Sequence, residues 1–284
     1  MRTRPLLTVL LIAGMLALLP TGAASAKVKT ETASSGPVTA VLTYNVANAD
    51  IFDVTGTHLA ITNAGAKLLD TDVPEPCKGC GIAPAGAGGG SAKSLRVADL
   101  DGDSQPEVLL DIYTGGAHCC LDTWIYRLTG STYTGTPVQW GDPGYQLKDL
   151  NHDGIPELYS RDDRFAYEFT AYAESWLPPL VMQFRAGKLT TVTRSFPSAI
   201  RADIKRILKV YRSKRRRQLD LRGALAAYTA DQCMLRHCSK GFKLVNSARK
   251  HGLVKGFGRG DPYPHGARYV KALRTFLKKT GYLR

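Results

Sequence analysis

ADLDGDSQPEV, residues 98–108, returns in altered form as KDLNHDGIPEL, residues 148–158. Counted from Asp99 and from Asp149, oxygen-bearing side chains stand at positions 1, 3, 5 and 9 of both copies. They are Asp99, Asp101, Asp103 and Glu107, then Asp149, Asn151, Asp153 and Glu157. Pro106 and Pro156 share position 8. A hard cation such as calcium takes about six to eight oxygens at roughly 2.3–2.6 Å, from carboxylates, carbonyls and water. A tight loop that turns every second side chain inward meets that demand, with the backbone carbonyls of Gln105 and Ile155 at position 7 as further ligands. Gly102 and Gly154 ease the sharp bend, because glycine adopts backbone angles that a Cβ disfavours. The cofactor this spacing predicts is calcium (Ca2+); the plainer alternative is an acidic surface turn without metal.

The EF-hand loop starts with a similar run, but its closing Glu comes later and the loop lies between two helices. Here the run closes at position 9 and the apolar stretch Val108 to Tyr113 follows, which reads as a strand. On these residues both copies resemble the calcium loops of FG-GAP or VCBS repeats, the blades of integrin-α-like β-propellers, with the motif D-x-[DN]-x-D-G-x-x-[DE] ahead of a strand. In the first copy Gly102 is at position 4 and Ser104 at position 6; in the second, His152 is at 4 and Gly154 at 6. The copies are 50 residues apart (149 − 99), a length that fits one four-stranded blade. The resemblance covers residues 95–196 well and 38–76 as a degenerate repeat. It implies a mainly β fold with added helix, built of propeller-like blades. A closed propeller has about four to eight blades, whereas residues 27–196 supply about three, so an open stack or a compact sandwich stands beside a ring.

Working outward, short alternating runs at Val38 to Tyr44, Thr123 to Leu128 and Leu180 to Phe184 read as strands. Arg185 to Lys188 reads as the turn of a hairpin returning through Leu189 to Val192. Residues 81–92, GIAPAGAGGGSA, read as a flexible loop. After Pro197 the pattern changes. Ile200, Ile204, Ile207, Leu208 and Tyr211 fall at helical spacing, followed by Leu221, Leu225, Tyr228 and Leu235, then Tyr269, Val270, Leu273, Phe276 and Leu277. Gly252 and Gly281 are placed to end helices. The chain therefore divides into residues 1–26, a β-repeat domain at 27–196 and a small α-helical bundle at 197–284.

Charge divides at the same place. Residues 197–284 carry 23 Lys and Arg against Asp203, Asp220, Asp231 and Asp261, a net +19. The whole chain is +14, so after removing Arg2 and Arg4 residues 27–196 are left with 14 − 19 − 2 = −7. Arg201, Lys205, Lys209, Arg212 and Arg216 recur on one helical face opposite the apolar stripe. Such a face suits an anionic cell-envelope polymer or glycan, lipid headgroups or nucleic acid. No recognised nucleic-acid motif accompanies it, so nucleic acid is not the expected partner; the plain alternative is a solvated face.

The N-terminus sets the compartment. Arg2 and Arg4, the apolar run Leu6 to Leu19 and the small residues ending Ala24-Ser25-Ala26 have the order of a secretory signal peptide cleaved after Ala26. The run is too short to span a bilayer as a helix, and no later stretch approaches that length. Six cysteines follow, Cys77, Cys80, Cys119, Cys120, Cys233 and Cys238, an even count that reads as three disulfides in an oxidising compartment. Cys77 with Cys80 and Cys233 with Cys238 are the expected local pairs.

Two stretches invite catalysis. His118 beside Cys119 suggests a thiol nucleophile, although export favours oxidation. The Gly-Gly-Ala-His-Cys-Cys stretch at 115–120 also resembles one in uncharacterised secreted bacterial repeat proteins. Residues 162–176 gather Asp162, Asp163 and Glu168 with Phe165, Tyr167, Phe169, Tyr172 and Trp176. Read as a strand with its aromatics on one face, this segment suits sugar stacking or a glycosidase pair, or else an ordinary core. The leading expectation is a secreted calcium-binding repeat module that binds at the cell envelope and is not an enzyme; the alternative is a secreted glycosidase or esterase that uses 162–176 or His118.

Overall fold

The computed structural model describes residues 26–47, 53–79, 81–87, 93–116, 121–258 and 260–283. Residues 1–25, where the sequence predicts a signal peptide, and Cys80, His118, Cys119 and Cys120 lie outside the described residues.

Three antiparallel sheets follow one another along the chain. The first is β1 (Lys27–Ser35), β2 (Val38–Val46), β3 (Val54–Asn63) and β4 (Ala66–Asp72), paired in that order. The second holds β5 (Ala83–Pro84), β6 (Leu95–Ala98), β7 (Glu107–Tyr113), β8 (Leu121–Thr129) and β9 (Thr132–Gly141). Both β5 and β6 lie along β7, Ala83 opposite Tyr113 and Leu95 opposite Leu110, so two short strands share one edge. The first of them, β5, falls inside the stretch expected to be loop. The third sheet is β10 (Tyr145–Lys148), β11 (Glu157–Arg161), β12 (Pro179–Arg185) and β13 (Lys188–Thr191), again in order.

Side-chain period explains how the sheets stack. In β2 every second residue from Val38 to Val46 is buried, the pattern of a strand with one face on a core. Burial in β7 runs unbroken from Glu107 to Ile112, because both faces are covered. Val108, Leu110 and Ile112 join Leu42, Tyr44, Leu59 and Ile61 of the first sheet. Leu109 turns the other way and packs with Ile125, Trp140, Leu158 and Phe184, which reach into the third sheet. The second sheet is thus the middle layer, and the protein is mainly β with helices added.

The helices are α1 (Pro197–Arg216), α2 (Arg222–Met234), α3 (Cys238–Lys250) and α4 (Gly266–Lys279). Pro197 occupies the first turn of α1, where a missing N–H costs nothing. Gly252 and Gly281 follow α3 and α4 with φ of +67° and +81°. A disulfide joins Cys233 to Cys238 across the turn between α2 and α3, as the sequence led us to expect. Cys77 is also disulfide-bonded.

Residues 162–176 depart from the strand reading. Asp162 caps a 3-10 turn, its side chain accepting from Arg164 N–H, and Tyr167 adopts φ +58°, which reverses the chain. Phe165 and Phe169 therefore point together into the helices while Tyr167 is 48% exposed. Both phenylalanines meet Phe276 edge-on, with ring centroids 4.8 and 5.3 Å apart, and they share one core with Leu225, Val245 and Leu273. The helices do not stand apart from the β layers.

An ionic seam joins them further. Arg161 of β11 pairs with Asp203 of α1, which Arg206 also reaches at 2.7 Å. Behind it Asp231 of α2 is fully buried. Among the described residues neither Asp231 oxygen nor Asp203 Oδ2 has a hydrogen-bond partner, and the two carboxyls interact closely enough for the Asp203 charge to oppose ionisation of Asp231. Burial first, then the Asp203 charge, pushes the Asp231 carboxyl well above its usual range. The folded chain therefore holds a proton that the unfolded chain loses near the ordinary carboxylate pKa. Stability falls as pH rises from there through the folded pKa. Asp231→Asn supplies a permanent donor to Asp203. It should stabilise the protein at pH 7 by about 1–3 kcal/mol, the usual cost of a poorly satisfied buried polar group. The gain should vanish below about pH 4, as urea melts of both proteins across pH will measure.

Candidate functional site

The two acidic loops connect equivalent strands. Residues 99–106 link β6 to β7, and residues 149–156 link β10 to β11, each between the first and second strands of a meander. Their backbones agree in the place where their sequences do not. Gly102 and Ser104 have φ of +79° and +64°, and His152 and Gly154 have +62° and +85°. Positions 4 and 6 are left-handed in both loops, and each loop places glycine at one of them and tolerates a side chain at the other.

Position 1 builds the turn. Asp99 accepts from Gly102 N–H at 2.7 Å and Ser104 N–H at 3.0 Å; Asp149 accepts from Asp153 N–H at 3.2 Å and Gly154 N–H at 2.9 Å. At position 5, Asp103 and Asp153 accept from Gln105 and Ile155 N–H; the latter bond leads in holding the Asp153 carboxyl below its usual range. Glu107 and Glu157 are buried and accept from Leu100 and Leu150 N–H at 2.8 and 2.9 Å. The loops touch, since a Cβ on Gly102 would collide with the end of the Ile155 side chain.

In the first loop one oxygen each from Asp99, Asp101 and Glu107 lie within 4.8 Å of one another. Asp101 Oδ1 and Glu107 Oε1 are buried there without hydrogen-bond partners among the described residues. Burial, reinforced by the charges of Asp101 and Asp103, pushes the Glu107 carboxyl up to about 7. A divalent cation would satisfy both orphaned oxygens and reverse that shift, so the residues fit calcium. Arg127 of β8, which the motif alone did not single out, lies beside the cluster. Its Nη2 donates to Asp103 at 3.2 Å, and its Nε is 3.5 Å from Asp101 and 3.9 Å from Glu107.

The basic residues of α1 are disposed as the helical spacing predicts. Arg201, Lys205, Lys209, Arg212 and Arg216 are all exposed, and among the described residues none forms an ion pair. The acids of the helical segment are elsewhere. Asp203 and Asp231 lie in the seam, and Asp220 and Asp261 are both bound to the buried Arg222.

Two curated proteins are similar to this chain. One, from Synechocystis, is described as a probable thylakoid lumen protein; it is 28% identical over 207 residues, which cover 66% of this chain and 60% of that protein. The other, an uncharacterised protein of Sinorhizobium fredii, is 25% identical over 204 residues, covering 63% of this chain and 30% of its own length. No family model and no solved structure matches.

The acids of residues 162–176 separate. Asp162 is tied to Arg164 and accepts from Tyr282 O–H at 2.7 Å. Asp163 lines a cleft of about 550 Å³ between the second and third sheets, with Asp122, Gln139, Trp140 and Arg161. Burial raises the carboxyls of both Asp122 and Asp163 above their usual range. Glu168 faces a different groove, against α4. Asp122 escapes a motif search because β8 reads simply as an alternating strand.

Proposed function

We propose that this chain is an exported, calcium-stabilised β-repeat module of the FG-GAP or VCBS type that binds an anionic cell-envelope polymer or glycan through the exposed face of α1. The observation that carries the reading is the fate of the helical acids. Asp203, Asp220, Asp231 and Asp261 are all buried or ion-paired within the fold, and the five α1 cations are exposed and, among the described residues, form no ion pair. Exposed charges of one sign raise the local concentration of a polyanion and steer its approach.

The repeat part of the reading is supported by three antiparallel layers of blade-like meander, two of them with acidic loops in register. The helices join the third layer through the pair between Arg161 of β11 and Asp203 of α1. Export is supported by the charge, apolar run and A-x-A order of residues 1–26, by the disulfides, and by the similarity to a probable thylakoid lumen protein. Among the described residues no helix is long and apolar enough to cross a membrane.

Calcium should act on stability. A ligand at about 100 times its Kd stabilises the folded state by about 2.7 kcal/mol, and 1 kcal/mol moves the melting temperature of a chain this size by roughly 2–4 °C. Calcium at about 100 times Kd, roughly 10–100 mM for the weak affinities of extracellular modules, should therefore raise the melting temperature of chelator-treated protein by roughly 5–10 °C. Identical calorimetric melts with and without chelator would remove calcium from this proposal.

One observation favours a second reading, a secreted hydrolase of glycosidase or esterase type. Asp122 and Asp163 share a cleft, and both carboxyls are shifted towards the protonated form that a general acid needs. Turnover on a glycoside or ester panel that disappears in a folded Asp163→Asn variant would replace the binding reading with this one.

A further inference from the structure

We infer that the two acidic loops are not equivalent: the first takes the cation, and the second is closed to it by Gln183. The inference rests on the calcium reading above and decides where that calcium sits. It comes from the residue that each sheet places opposite the closing glutamate. In the second sheet Val108 pairs with Tyr126, so the neighbour of Glu107 across the ladder is Arg127. In the third sheet Leu158 pairs with Met182, so the neighbour of Glu157 is Gln183. Arg127 and Gln183 hold the same structural position in their repeats.

They treat the glutamate differently. The Gln183 amide donates to Glu157 Oε1 at 2.9 Å, and Leu150 N–H already holds Oε2. Both oxygens of Glu157 are satisfied without metal, and among the described residues the second loop contains no buried side-chain oxygen lacking a partner. At position 3, Asn151 donates its amide to Asp153 at 2.8 Å, which turns its donor towards the place a cation would need. Arg127, by contrast, is drawn outward to Asp103 and leaves Glu107 Oε1, Asp101 Oδ1 and its own Nε without hydrogen bonds.

Charge points the same way. Four carboxylates line the first loop, and Arg127 offsets one, leaving a formal −3. Three line the second, and Arg185, which lowers the Asp153 carboxyl, offsets one, leaving −2. A buried carboxylate oxygen without a partner is costly, and a divalent cation is the ligand that relieves two of them at once. The second loop has no such cost to relieve, and a cation there would have to share Glu157 Oε1 with the Gln183 amide, whose donor hydrogens it would face. The first loop is also anchored on both sides, by Asn63 of β3 on Gln105 and by Ala186 N–H on Asp101, so its ligands are held before the ion arrives.

The test is a calcium titration of the full chain, with glycine-selective 15N labelling and calorimetric stoichiometry. Gly102 and Gly154 amides mark the two loops in unmutated protein. One calcium per chain is expected, with Gly102 saturating first, any contact-driven change at Gly154 through Ile155 falling in that same step, and no second step at Gly154 within a roughly tenfold higher concentration. Two ions with matched saturation of both amides would overturn the inference and leave the calcium reading intact. Saturation of Gly154 first would also overturn it. No binding at either loop would sink the calcium reading itself. In the Asn151→Asp, Gln183→Ala double variant, which strips the second loop of its internal donors, the stoichiometry should rise to two. If it stays at one in folded protein, Gln183 and Asn151 are not what closes that loop.

Discussion

Full-length protein carrying Arg201→Glu, Lys205→Glu and Lys209→Glu is retained at least about fivefold more weakly on immobilised polyphosphate at 0.1 M salt. An exposed ion pair is worth about 0.2–1 kcal/mol, and reversal exchanges each attraction for a repulsion. Three reversals therefore remove roughly 1–6 kcal/mol. The three positions are chosen so that the fold is not at risk. All are exposed, and glutamate is a good helix former. The melting temperature should stay within a few degrees of the parent. Retention of the unmutated chain should fall steeply with salt, because exposed charges are screened over about 10 Å at 0.1 M. The acidic β layers remain attached throughout, so the experiment measures the face in its native surroundings. Unchanged retention in the variant would reduce the α1 face to solvated surface.

This face was legible in the sequence because a helix repeats its geometry over a few residues. Once Ile200, Ile204, Ile207 and Tyr211 define the inward stripe, the outward positions follow. The acidic loops were legible for a similar reason, as their acidic side chains and turn-forming glycines lie within one short segment. Even the exchange of glycine between positions 4 and 6 proved harmless, since both positions are left-handed in both loops.

What escaped the sequence depends on distant parts of the chain. Glu107 lies 20 residues before Arg127 (127 − 107), whereas Glu157 lies 26 before Gln183 (183 − 157). The segment from Asp162 to Pro178 lengthens the second repeat and hides the correspondence between Arg127 and Gln183. That segment also misled by its period. Phe165, Tyr167 and Phe169 alternate like a strand, but the Asp162 cap and the left-handed Tyr167 fold the chain into turns. The burial or ion pairing of all four helical acids is invisible in a net charge of +19, which counts them as though they lay among the surface lysines. Only the packing shows that the cationic surface is less neutralised than the composition suggests.

Arg222 is where the largest single loss of stability is expected. Its side chain is almost wholly buried, 1% exposed, and its guanidinium holds two carboxylates. Nη2 donates to Asp220 at 2.6 Å and to Asp261 at 2.7 Å, and Nε to Asp220 at 3.0 Å. Thr170 O–H donates to Asp220 from the segment before β12, and Tyr269 O–H of α4 donates to the Arg222 carbonyl, both at 2.7 Å. One arginine thus ties α2 to α4, to residues 257–264 and to the third sheet's long connection. Burial would raise the Asp261 carboxyl, but the N–H groups of Phe257 and Tyr263 together with Arg222 bring it to about 2. Its contribution to stability is therefore present above the unfolded carboxylate pKa and lost as pH falls through about 2. Arg222→Met keeps much of the volume and removes the charge, leaving two buried carboxylates facing each other. Breaking a buried pair in this way costs about 3–5 kcal/mol, measured as a shift in the urea midpoint. The cost arises from orphaned charge and not from lost packing, so adding Asp220→Asn and Asp261→Asn should restore at least half of it. A triple variant as unstable as the single one would show instead that the shape and stacking of the guanidinium hold these elements together. In either outcome the α1 cations are untouched, so polymer retention by the protein that remains folded should equal that of the parent, which separates what binds from what keeps the binding face in place.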